Sequence, residues 1–177
     1  MIRGIHLSTR IPQIQKMRKS DHDRAEKTSR WAVEVEKIES SFSNMEIEMR
    51  SNGDGISGIQ FTVEIDHHVT GQSRISDVQM RMILPDDYPR SLPKVYPVDI
   101  TIPFDNRAHL YRDREGGVHI CLITEEEWTE DCTMAGLMSL ASLWIHKYIV
   151  WRNEGVWPGL GRSHCNICGK IGGCEHS

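Results

Sequence analysis

The chain has no apolar run long enough to span a bilayer, which argues against a transmembrane helix. No apolar core of a secretory leader follows the early basic residues either, so a cytoplasmic protein is the expectation. Net charge is small, −4 over 177 residues, which leaves no strong positive field to gather nucleic acid. No internal repeat is present, and this argues against a solenoid or propeller. Five cysteines, an odd number in a chain without a leader, argue against a disulfide framework. The 38% hydrophobic content is enough for a buried core, so global disorder is not expected.

What is there is unevenly placed. Residues 1–20 carry Arg3, Arg10, Lys16, Arg18 and Lys19 without an acid, whereas TEEEWTED at 124–131 carries five acids and no base. Trp31, Val35, Ile38 and Phe42 fall at helical spacing, which predicts a helix over 21–42 with Ser20 or Asp21 as N-cap. MEIEMR at 45–50, GIQFTVEI at 58–65 and ISDVQMRMIL at 75–84 alternate apolar with polar. Turn residues at Asn52-Gly53-Asp54-Gly55 and Thr70-Gly71-Gln72 separate them, as in an antiparallel meander. KVYPVDITI at 94–102 supplies a fourth strand, which Pro97 predicts to be an edge or bent one. Residues 103–131 lack clear periodicity, and so long a stretch inside a compact domain points to function or disorder. Met134, Leu137, Met138, Ala141, Trp144, Ile145 and Tyr148 then give a broad apolar face to a second helix over 132–151.

Within this frame the order Tyr88-Pro89-Arg90-Ser91-Leu92-Pro93-Lys94-Val95, then Gly117-Val118-His119-Ile120-Cys121-Leu122, then Trp128 is the most informative feature. It resembles the ubiquitin-conjugating enzyme family over roughly residues 21–151. That family joins a helix to a four-stranded meander closed by a Tyr-Pro-x-x-x-Pro turn, followed by a flap ending in Gly-x-Ile-Cys-Leu, a Trp and a long helix. The resemblance implies an α+β, UBC-like fold: a basic segment at 1–20, a catalytic domain at 21–156 and a Cys/His-rich tail at 157–177. It also implies that Cys121 carries an acyl group as a thioester and passes it to an amine, one hard step split into two easier ones.

Two departures stand out. The family's His-Pro-Asn tripeptide, whose Asn lies eight residues before the cysteine, is missing, and Asp113 occupies that place. The stretch from Val95 to Cys121 is also longer than usual. His119 is the natural substitute, since residues two apart in an extended segment point the same way and an imidazole can act as base or donor near neutral pH. His109, further upstream, is a second candidate. Loss of His-Pro-Asn with retention of the cysteine motif is the pattern of the divergent bacterial branch. Those relatives work in anti-phage defence beside cGAS-like nucleotidyltransferases (CBASS operons) or in bacterial ubiquitin-like operons. The implied partners are therefore proteins: such a nucleotidyltransferase or a ubiquitin-like modifier, with an activating enzyme as a further candidate, and neither nucleic acid nor membrane. Their tails hold a Trp-Pro followed by a histidine, which WPGLGRSH at 157–164 is similar to, making His164 a third candidate in catalysis.

The tail has its own chemistry. Cys165, Cys168, Cys174 and His176 offer four soft ligands of the kind a tetrahedral structural zinc takes. His164 is an alternative fourth ligand, and a thiol–disulfide pair at Cys165 and Cys168 is the competing reading. Cys132, at a helix start, reads as structural, Trp128 as core packing, and the acids around it as a solvated helix approach or as a guide for an incoming lysine. The rival to an enzyme is a non-catalytic interaction module of the RWD kind, which shares the meander and Tyr-Pro turn. A zinc-dependent nucleic-acid binder finds too few aromatic and basic residues in the tail.

Overall fold

The computed structural model describes residues 21–52, 55–70, 75–105, 108–113 and 116–159. The chain divides into two compact units at the Glu46/Ile47 boundary, and each is described by itself.

The first unit contributes α1 (Asp21–Ser41), where Trp31, Val35 and Ile38 share one helix face as their spacing requires, and Phe42 follows directly on its end. An i,i+4 pair, Arg30 to Glu34 at 2.6 Å, braces the same helix. Proposed caps at Ser20 and Asp21 lie outside the side chains described.

The second unit begins with β1 (Ile47–Asn52) and β2 (Gly55–Glu64), an antiparallel pair closing at Asn52↔Gly55, where Asn-Gly-Asp-Gly calls for a tight hairpin. Ile59, Phe61 and Val63 on β2 are buried and alternate with more exposed neighbours, so the period of two in the sequence becomes one buried sheet face. A one-turn helix, α2 (His67–Thr70), follows, then β3 (Asp77–Ile83), which buries Val78, Met80 and Met82 in the same alternation. Gly58 on β2 faces Ile83, and a Cβ there would lie 2.5 Å from the Met82 carbonyl oxygen. Only glycine lets the two backbones pass this closely.

The fourth strand, β4 (Lys94–Pro97), is shorter than the 94–102 expected. Pro97 ends it, having no N–H to continue a ladder. The strand is not a sheet edge: it lies between β3 and the last strand of the flap. Within the aperiodic stretch the structure places two further strands, β5 (Leu110–Arg112) and β6 (Val118–Ile120), giving a six-stranded sheet in the order β1-β2-β3-β4-β6-β5. The meander of four is thus extended by a hairpin from the flap.

Helix α3 (Met134–Glu154) starts at N-cap Thr133, whose hydroxyl accepts from the Gly136 N–H at 3.2 Å. It ends at Gly155, whose φ of 76° is the left-handed conformation a helix stop favours. Its face from Met134 to Tyr148 is buried at each of the seven positions named from the sequence. The Trp144 indole donates to the Ala108 carbonyl at 2.9 Å, tying this helix to the start of the flap hairpin. Among the described residues no helix is long and apolar enough to cross a membrane, and no group of three His, Cys, Asp or Glu is placed to hold a metal ion. The proposed ligands Cys165, Cys168, Cys174 and His176, and the proposed catalytic His164, lie outside the described residues.

Candidate active site

The flap hairpin is built from two three-residue strands, too short to hold themselves, so its neighbours position it. On one side β6 pairs with β4 through Val95↔Ile120; on the other it pairs with β5 through Tyr111↔His119. Ile120 and Leu110 turn inward and are buried, which places their neighbours His119 and Tyr111 on the opposite, outer face.

Cys121 follows directly on β6. Its N–H donates to the His109 carbonyl at 2.8 Å, extending the hairpin pairing by one step and fixing the cysteine backbone. The residue is 8% exposed, a more covered position than the open flap expected from the sequence. It does not sit in a purely apolar setting: Tyr111 pairs with His119 across the hairpin, and its hydroxyl is near enough to feel the charge of the Cys121 sulfur. Trp128, also buried, donates its indole N–H to the Pro89 carbonyl at 2.6 Å and lies against Tyr88 with ring centroids 6.2 Å apart. The Tyr-Pro turn and the tryptophan, separate signals in the sequence, are therefore one joint that anchors the chain leaving the cysteine.

His119 stands between two tyrosines, with ring centroids 5.7 Å from Tyr96 and 5.6 Å from Tyr111. Its Nδ1 lies 3.3 Å from Asp113 Oδ1, but the pair is not aligned, and this buried nitrogen has no directed hydrogen bond among the described residues. Burial pushes the imidazole below its ordinary pKa; the Asp113 charge opposes this and Lys94 adds to it. His119 is therefore neutral at pH 7 and able to take up a proton.

Asp113 is fully engaged. Lys94 Nζ donates to Oδ1 at 2.7 Å and the Tyr96 hydroxyl to Oδ2 at 2.8 Å. The Lys94 hydrogen bond foremost, with that of Tyr96, holds the carboxyl below its usual range against the opposing effect of burial. An ionised carboxylate accepts and cannot donate. So the residue standing where the family has its Asn organises Lys94, Tyr96 and His119 and has no proton to offer an oxyanion.

His109 adopts a φ of 53°, uncommon for a residue with a side chain. Its carbonyl serves Cys121, while its ring packs on Trp157 at 5.3 Å between centroids. Trp157 also lies near Trp144 and Trp151, at 6.3 and 6.1 Å, so the Trp-Pro segment is fastened to α3. The structure thus brings His109 to the cysteine through its backbone, while His119 lies two residues before it with its ring against Tyr111. Of the acids after the cysteine, Glu127 is used locally, accepting from the Thr124 N–H and hydroxyl at 3.1 and 3.3 Å. Glu125 and Glu126 are exposed and close enough to act electrostatically on Tyr111. Cys132 has its sulfur 3.6 Å from the Thr129 hydroxyl, in the turn before α3.

Tyr111 was not singled out from the sequence. Its signal was the pairing of Leu-Tyr-Arg with Val-His-Ile across the Asp-Arg-Glu-Gly-Gly turn at 113–117, a hairpin too short to register as periodicity.

With a flap cysteine, a neutral histidine and the Tyr-Pro/Trp joint in place, the class is that of E2, ubiquitin-conjugating-like proteins. The chain belongs to the type II CBASS E2 protein family, whose family model matches residues 34–165, more than half of its length. Among solved structures, it is similar to a ubiquitin conjugating enzyme E2 from Plasmodium falciparum, at 13% identity and a TM-score of 0.47. That match covers 77% of this chain and 94% of the other. It is also similar to the ubiquitin conjugating enzyme E2 UbcA1 from Agrocybe aegerita, at 20% identity and a TM-score of 0.41, covering 67% of this chain and 79% of that one. No curated protein sequence matches the chain.

Proposed function

We propose that Cys121 is the acyl carrier of an anti-phage conjugation step whose acyl donor or target is a cGAS-like nucleotidyltransferase. The Cys121 thiolate attacks an activated acyl carbonyl of the donor; the C–S bond forms as the donor's leaving group departs. An amine then attacks the thioester, the C–N bond forms, and Cys121 leaves as thiolate. The proton lost by the amine passes to neutral His119, directly or through water, and burial keeps that imidazole unprotonated near pH 7.

One observation carries this reading: Cys121 ends the flap strand with its N–H held by the His109 carbonyl at 2.8 Å, and the Tyr111 hydroxyl of the paired strand is near enough to interact with its sulfur. A cysteine acting only as a small hydrophobe in a core has no use for that donor. Family membership supports the class of reaction and protein partners in the same operon.

The test is the intact mass of Cys121→Ser expressed with its neighbouring operon genes. Serine retains a transferred acyl group as a longer-lived oxyester, so the expected result is an added mass that identifies the donor. Absence of an adduct, with wild type unmodified on non-reducing gels and the donor shown to be present, sinks the carrier role.

One observation favours a second reading, a non-catalytic interaction module: Cys121 is only 8% exposed. In that case native protein resists alkylation at Cys121 with iodoacetamide, and only unfolding admits the reagent.

A further inference from the structure

The carrier reading leaves a gap: attack on a thioester carbonyl builds negative charge on oxygen, and a positioned donor must meet it. Asp113 cannot, being an ionised acceptor already bound to Lys94 and Tyr96. The Nδ1 of His119 is turned to the Asp113 carboxylate, 3.3 Å away. We infer that Tyr111 is a catalytic residue, its hydroxyl the donor that first holds the Cys121 sulfur and then takes the acyl oxyanion.

The geometry supplies the reasons. Tyr111 sits opposite His119 across the hairpin, and Cys121 lies two residues beyond His119, so tyrosine and cysteine are diagonal neighbours on one sheet face. That diagonal is within reach of an aromatic side chain, and the sulfur's charge acts on the Tyr111 hydroxyl. The ring is held against His119, and the backbone of Cys121 is held by His109, so both partners are fixed before substrate arrives.

A donor must also keep its proton. Burial first, then the hydrogen bond and charge of Cys121, then the charges of Glu126 and Glu125 push the Tyr111 hydroxyl above the ordinary tyrosine range. It therefore keeps its proton near neutral pH. When the sulfur bonds to an acyl carbon, the carbonyl oxygen lies two bonds away, and a small rotation carries the O–H from sulfur to oxygen. No atom is added or removed in this shift; only the hydrogen bond changes acceptor.

This assignment rests on the carrier reading, and the experiment separates the two. In Tyr111→Phe, with near-UV circular dichroism as the check on fold, two quantities are read. The first needs no acyl donor: the rate of Cys121 alkylation by iodoacetamide against pH. Loss of the donor raises the midpoint by about one pH unit, since a hydrogen bond to the charged form favours it. The second is single-turnover discharge of preloaded Cys121 to hydroxylamine, expected to slow about 100- to 1,000-fold while loading still occurs. An unchanged alkylation profile, or discharge at the wild-type rate, overturns the assignment. Wild type that never loads defeats the carrier reading instead, and the alkylation profile then decides whether Tyr111 acts on the sulfur.

Discussion

Replacing Asp113 by asparagine removes one charge and leaves the shape, so its effect can be worked from two contacts. The Tyr96 hydroxyl donates to the carboxylate at 2.8 Å in a part-buried position. A hydrogen bond to a charged group is worth about 1.5–3 kcal/mol and to a neutral one about 0.5–1.5, so the exchange costs about 1 kcal/mol. Lys94 at 2.7 Å is 52% exposed, and an ion pair so open to water contributes only about 0.2–1 kcal/mol. The variant should therefore lose about 1–2 kcal/mol at pH 7, read by urea unfolding followed through tryptophan fluorescence. The pH dependence fixes the cause. The folded carboxyl titrates below the ordinary value of 3.8, so its stabilisation is complete above that value and is lost as pH falls through the folded pKa. The gap between wild type and Asp113→Asn should thus be level from about pH 7 to 8, widen as His119 takes up its proton beside the carboxylate, and narrow below about pH 4. His119 offers an independent readout. The Asp113 charge favours the imidazolium, so its removal should lower the His119 titration midpoint further, as seen in the imidazole NMR signals. Equal stability at pH 7, or a gap that persists in acid, would refute the carboxylate's role.

Two other perturbations test the fold and the tail. Gly58→Ala forces a Cβ to 2.5 Å from the Met82 carbonyl oxygen, a backbone atom held in the β2–β3 ladder. The cost should be about 1–3 kcal/mol by calorimetry, and an unchanged melting temperature would mean the strands are not so close. For the tail we propose one structural zinc on Cys165, Cys168, Cys174 and His176, so elemental analysis should find about one zinc per chain and none in Cys168→Ala. Retention in His176→Ala with loss in His164→Ala would move the fourth ligand to His164.

The long elements were legible because periodicity accumulates over many residues. Seven apolar positions of α3 and the alternation of β2 and β3 all became buried faces. Cys121 was legible through its flanking motif, and His119 was assigned to the cysteine's side from the two-residue repeat alone. What escaped was local and short. The hairpin of β5 and β6 has three residues a strand, below what a pattern can declare, and so Tyr111 went unread. The burial of Cys121 was hidden for another reason: a motif places a residue in order along the chain but says nothing of what later folds over it. Asp113 stood in the sequence only as a departure at the Asn position, and its hydrogen bonds with Lys94 and Tyr96, distant in the chain, could not be read from the local motif.

The hairpin imposes an arithmetic on this chain. Tyr111, His119 and Cys121 carry odd numbers and share a face, while Leu110 and Ile120 carry even ones and face the core. A single-residue deletion within either strand would exchange the two sets, driving the sulfur into the apolar layer and a leucine or isoleucine into the site. Length is freer to vary between Asp99 and His109, where no strand pairing among the described residues keeps count. The connection from Asp99 to His109 is thus where such a domain can accept inserted residues without shifting the register of its site.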